Sequence, residues 1–112
     1  MTADTFRRLA LEIPGARESA HMNHPDFRVA GRIFATLGYP DEAHGLVKLT
    51  PEQQRTLLQQ APAVFAPCAG AWGKAGATSV QLGPARAGAL RAALTAAARN
   101  LTAVKKRPRP GL

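Results

Sequence analysis

Twenty-three alanines make up nearly half of this chain's apolar residues, against four phenylalanines, one tryptophan and one tyrosine. The 46% hydrophobic share therefore overstates the available bulk, and the core depends on a small set of Leu, Val and Phe. At 112 residues such a core serves one domain. Where those few large residues fall along the chain decides what can form.

They fall first on a helix. Phe6, Leu9, Ala10 and Ile13 recur at i, i+3, i+4 and i+7, one apolar stripe that Pro14-Gly15 ends. Short extended pieces follow (RESAHM, FRVAG, RIFATLG and GLVKLT), and YPDEAHG reads as a loop from its Pro, Asp and Gly. Gly31-Arg32 suits a two-residue hairpin turn, which sets Val29 across from Phe34. Thr50-Pro51-Glu52-Gln53 is a helix start, with Thr at the N-cap, Pro first in the helix and Gln three after the cap. That helix buries Leu57, Leu58 and Ala61 and stops at Pro62. AVFAPC and ATSVQLG read as two strands joined by a glycine-rich turn.

A last helix, from about Pro84 to Val104, buries Leu90, Leu94, Ala97, Leu101 and Val104 and turns Arg99 to solvent. One helix, three or four strands, a helix, two strands and a helix make an α+β two-layer sandwich with a largely antiparallel sheet. Residues 1–104 form the single domain, and KKRPRPGL, residues 105–112, a disordered basic tail.

Charge divides the chain. Residues 1–52 carry six basic and seven acidic side chains, while nine basic and no acidic ones follow, for a net +8. A field of one sign attracts a polyanion, or else marks a merely solvated basic face. No apolar run approaches the ~18 residues that span a bilayer. The mixed charges of MTADTFRRLALEIPG are unlike a signal peptide. A cytoplasmic protein away from membranes is the expectation. The one cysteine, Cys68, excludes an intrachain disulfide.

Catalytic and metal chemistry find little support. Gly73-Lys74 lacks the earlier glycine of a phosphate loop, position 68 being Cys, and Ala75 stands where Ser or Thr is needed. His21 and His24 could ligate a metal only with a third ligand, and positions i and i+3 at a strand end do not share a face. Cys68, Ser19 and Ser79 sit in no activating frame. A non-enzymatic protein without cofactor or metal site is expected. Two placements compete for the lone Trp72, in GAWGKAGATSVQLG. The indole plugs one end of a core short of large side chains, the favoured placement because an exposed Trp is costly. Otherwise it offers nucleic acid a stacking surface from a basic hairpin. Lys74 can contact phosphate in both.

HMNHPDFRVAGRIFATLGYPDE, VKLTPEQQ, VFAPCAGAWGKAGATSVQL and AAARNL, in that order, resemble the MmcQ/YjbR family of small bacterial proteins, from Phe6 to about Val104. The resemblance implies an α-β3-α-β2-α fold, similar to CyaY and to secretion chaperones. Two projecting hairpins, a double wing, underlie the family's label as DNA-binding. Trp72, Gly73, Gly76 and Thr78 match its Trp-Gly-x-x-Gly-x-Thr stretch, with Lys74 at the basic position. Arg99-Asn100 match an Arg-Asn pair late in the last helix, and His24-Pro25-Asp26-Phe27-Arg28 the entry to the first wing. Ala77 and Ala98 depart from the pattern, standing where relatives carry Trp, which thins any shared aromatic surface.

The resulting expectation is DNA binding of low sequence specificity. Its phosphate contacts would be Arg28 and Arg32 on the first wing, Lys74 on the second, Arg99, and Lys105, Lys106, Arg107 and Arg109 at the C-terminal end. Such contacts position the protein without reading sequence. The alternative is a protein- or peptide-binding, chaperone-like module that uses its sheet face. A third reading has His21 and His24 hold a small ligand or metal.

Overall fold

The structure, a computed structural model, describes residues 1–106, with side chains through residue 102. Helix α1 (Ala3–Leu11) begins where the Thr2 hydroxyl accepts from the Thr5 N–H, and it buries Phe6, Leu9 and Ala10. Strands β1 (Arg17–His21), β2 (His24–Val29), β3 (Arg32–Leu37) and β4 (His44–Lys48) follow, each antiparallel to the next. Then come α2 (Pro51–Gln60), β5 (Phe65–Pro67), the single turn α3 (Gly70–Lys74), β6 (Ala77–Gln81) and α4 (Ala87–Lys106). β6 pairs with both β4 and β5, which gives one antiparallel sheet in the order β1-β2-β3-β4-β6-β5. The α+β class is as expected, with one short helix more.

Strand alternation sorts the two faces of the sheet. Phe27, Ala35 and Val47 share a cross-strand row and join Phe6, Phe34, Leu90 and Leu94 in the core. α4 covers that side over β2, β3 and β4 with α1 beside it, and α2 packs on β5 and β6. The neighbouring row, Asp26, Thr36, Leu46 and Ser79, faces the opposite way. None of the long helices lies on that second face.

The α2 start forms a full capping box. Thr50 Oγ1 accepts from the Gln53 N–H at 3.1 Å, and Gln53 Oε1 accepts from the Thr50 N–H at 3.0 Å. The same Gln53 amide exchanges hydrogen bonds of 2.8 and 3.2 Å with Asn100, tying α2 to α4.

Four expectations are corrected. The β2–β3 turn is Ala30-Gly31, with Val29 opposite Arg32, because both central residues hold positive φ (54° and 77°) as a type I′ turn requires. A register shift beside Phe27 and Arg28 leaves Phe34 as one extra residue in β3, fully buried. The glycine-rich turn is the helix α3. Leu57, Leu58 and Ala61 are only half-buried, and the buried residue of α2 is Gln54. Finally, α4 runs on to Lys106, so Lys105 and Lys106 belong to a helix and not to a tail, while Arg107 and Arg109 lie outside the described residues. Among the described residues no helix is long and apolar enough to cross a membrane.

Candidate functional site on the open face of the sheet

The Trp-Gly-x-x-Gly-x-Thr stretch is a seat for α3. A Cβ on Gly73 would stand 1.7 Å from the Cys68 carbonyl oxygen, and one on Gly76, at φ +116°, 1.9 Å from that of Leu49. Only glycine permits approaches this close. Gln54 locks the seat from below. Its Nε2 lies 3.0 Å from the carbonyl oxygens of Gly73 and Ala77 and 3.2 Å from Thr78 Oγ1. The Thr78 hydroxyl in turn donates to the Gly76 carbonyl at 2.8 Å.

Seated in this way, α3 sends Trp72 over the face that the long helices leave bare. The indole is 49% exposed, so Trp72 is no core plug. Phe6, Phe27, Phe34 and Phe65, each almost fully buried, already fill the core. Trp72 instead heads a series of rings. It meets Tyr39 edge-on at 6.0 Å and 86°, Tyr39 meets His24 at 6.2 Å and 90°, and His24 lies 6.4 Å from His21. The Lys48 ammonium stands 5.9 Å from the Trp72 ring centre. Under these rings is a recess of about 380 Å³, lined by His21, Met22, His24, Thr36, Tyr39, Leu46 and Trp72.

The expectation that His21 and His24 do not share a face fails. They are register partners across the Met22-Asn23 turn, whose residues hold φ of 48° and 67°. A two-residue turn sets i and i+3 opposite each other, where a straight strand would not. Among the described residues no group of three His, Cys, Asp or Glu side chains is placed to hold a metal ion.

Beside the recess is an ion pair whose carboxylate is buried and whose guanidinium is partly exposed. Asp26 is 0% exposed and accepts from Arg28 Nε at 2.9 Å and from the second guanidinium nitrogen at 3.1 Å. His21 Nδ1 lies 2.7 Å from Oδ2, the oxygen that also accepts from the second guanidinium nitrogen. The Arg28 hydrogen bond, aided by His21, holds the Asp26 carboxyl below its usual range even though burial opposes it. An ionised carboxylate can only accept, so His21 Nδ1 carries the hydrogen and Nε2 is the ring's unbonded nitrogen. Thr36, 6% exposed, also lines the recess, and its hydroxyl has no partner among the described residues.

The expected phosphate contacts do not form one patch. Arg28 is held by Asp26. Arg32 is exposed beside the hairpin turn and Lys74 on α3, while Arg99 sits on the helical layer in a groove with Val29 and Thr102. On the surface Asp4 and Glu18 pair with Arg7, Glu12 with Arg91 and Asp41 with His44. Arg32, Lys48, Lys74 and Arg99 make no ion pair among the described residues. Burial pushes the Cys68 thiol up, which keeps it protonated and unreactive.

Sequence reasoning passed over Tyr39, Thr36, Lys48 and Met22. Lys48 carries a usable signal, since it lies two residues from Leu46 on an alternating strand and so shares its face. Tyr39 has none, because a loop has no period.

Fold and recess together define a two-layer α+β protein whose sheet leaves one face open under an aromatic wall. The chain belongs to the YjbR family, whose model matches residues 11–99. It is similar in fold to the crystal structure of the Deinococcus radiodurans protein DR2400, of the domain family DUF419. The two share a TM-score of 0.72 and 23% identity over 97% of this chain and 83% of that one. No match is found among curated proteins.

Proposed function

We propose that this protein is a non-enzymatic nucleic-acid-binding module of low sequence specificity that works through its open sheet face. The observation that carries this reading is the half-exposed Trp72 ring with the Lys48 ammonium 5.9 Å from its centre. Aromatic faces take bases of any sequence and neighbouring cations take phosphates. A ring can stack only on an unstacked base, so unpaired strands suit this face better than DNA duplex. Lys74 extends the cationic margin toward either strand type.

The test is anisotropy of labelled single-stranded and duplex DNA with the full chain at 50 and 200 mM salt. Four phosphate contacts on a single strand would cost about 50-fold in affinity between those conditions. Trp72→Ala and Lys74→Ala should each weaken binding, the second also lowering the salt slope by roughly one contact. Duplex preference would return the reading to the hairpin wings. A flat salt response, or no loss in both variants, refutes it. A second reading, capture of a protein or peptide partner, is favoured by Met22, 85% exposed at the rim.

A further inference from the structure

The recess under Trp72 is too small for a length of strand and the right size for one ring system. We propose that it holds a single nucleobase, with its polar edge on Thr36 and His21 and its attached phosphate toward Lys48. The base comes from a free nucleotide or from an unpaired position in a strand. For its occupant the proposal rests on the nucleic-acid reading.

Three features select that class. The volume, about 380 Å³, lies near the lower end of small-molecule sites, roughly 300–1,000 Å³. The walls are flat rings, Trp72, Tyr39, His24 and His21, with Leu46 among the lining residues, which favours a planar guest. The polar groups are the Thr36 hydroxyl and His21 Nε2. Thr36 is largely buried as a residue, but its hydroxyl opens on the recess and bonds to none of the described residues. No buried side-chain polar atom among the described residues lacks a partner, so solvent reaches this hydroxyl through the recess, where a guest's own donor or acceptor can take the place of water. His21 Nε2 is pre-aimed because Asp26 holds the opposite nitrogen at 2.7 Å.

Other guests fit worse. Aromatic walls also receive organic cations, but Lys48 already stands at the Trp72 ring. A wholly apolar guest would leave the Thr36 hydroxyl and His21 Nε2 unsatisfied. Lys48, which makes no ion pair among the described residues, complements an anionic substituent on the guest.

Trp72 is the chain's one tryptophan, so its fluorescence reports the site directly. The full chain is titrated with adenosine and cytidine 5′-monophosphates, and with ribose 5-phosphate as the base-free control. A single-stranded oligodeoxynucleotide and its abasic counterpart form a second arm. Saturable quenching by base-bearing ligands alone is expected, weakened about tenfold by Thr36→Val, the worth of one hydrogen bond. His21→Gln, at a half-exposed position, should do likewise and serves if Thr36→Val fails to fold. Quenching by the strand but not by mononucleotides would assign the source to a strand, and the reverse to free nucleotide. Linear quenching, an equal response to ribose 5-phosphate, or wild-type affinity in both variants overturns the proposal. Equal, salt-dependent binding of normal and abasic strands with Trp72 unquenched would leave the broader reading standing and remove this one. Saturable mononucleotide quenching with no strand binding would do the opposite.

Discussion

Gln54→Met should destabilise the protein by about 2 kcal/mol, a figure that follows from counting acceptors. The two hydrogens of the Gln54 amide serve the carbonyls of Gly73 and Ala77, each at 3.0 Å, with Thr78 Oγ1 a longer third contact at 3.2 Å. Neither carbonyl is left bare without it, because Gly73 also accepts from the Gly76 N–H at 3.1 Å and Ala77 from the Cys68 N–H at 2.9 Å. Each lost bond therefore costs near the low end of the usual range, about 1 kcal/mol. Gln54→Glu is worse, since it turns a buried carboxylate onto two carbonyl oxygens, and at neutral pH at least about 4 kcal/mol is expected. Burial raises that carboxyl's folded pKa above its unfolded value of about 4.3. A raised folded pKa means stability present at low pH and lost as pH rises through it, so the deficit relative to wild type shrinks in acid. Urea denaturation at pH 7 and pH 5, followed by Trp72 fluorescence and far-ultraviolet circular dichroism, reads both variants. A Gln54→Met value within about 0.5 kcal/mol of wild type would refute the acceptor count. So would a Gln54→Glu deficit that ignores pH.

Gly76→Ala should cost at least about 3 kcal/mol, since its methyl meets the Leu49 carbonyl at 1.9 Å and φ is +116°; an unchanged melting temperature would contradict this. Arg28→Ala leaves the buried Asp26 carboxylate with His21 alone and should lower stability in urea denaturation, and an unchanged midpoint would contradict this. Asp26 has a depressed folded pKa, so its contribution is present above about pH 4 and is lost as pH falls through the folded value. Asp26→Asn should flatten that limb of an acid titration followed by circular dichroism. Trp72→Ala should shift stability by no more than about 1 kcal/mol, because the ring is half-exposed. A loss as large as that of Gly76→Ala would place the ring in the core.

What the sequence revealed follows the reach of its signals. The α1 stripe and the Thr50 cap depend on residues within four positions, and both form as read. The β2–β3 turn was displaced by one residue because Ala30 adopts the positive φ that sequence reasoning reserves for glycine. Trp72 was misplaced for an energetic reason. An argument from scarce bulk cannot see that four phenylalanines suffice for the core, nor that two glycines exist to hold α3 at the margin. Gln54 falls by spacing on the stripe of Leu57, Leu58 and Ala61, but its partners come into view only when Gly73 and Ala77 are brought beside it from about twenty residues away. His24 and Trp72 were singled out separately, but their meeting through Tyr39 is a product of the fold.

The strand order also carries a consequence for biosynthesis. From β1 to β4 each strand pairs with the next in the chain, so this meander can zip from short loops as soon as it is made. Its inner side, with Phe27 and Phe34, waits for α4, whose first residue is Ala87. Its β4 edge stays open until β6 arrives. During that interval the nascent chain presents a greasy sheet whose β4 edge is free as well as its β1 edge, a form inclined to join another copy. A chain cut before α4 would thus be adhesive, and the ribosome's progress through the alanine-rich helix is what ends the exposure.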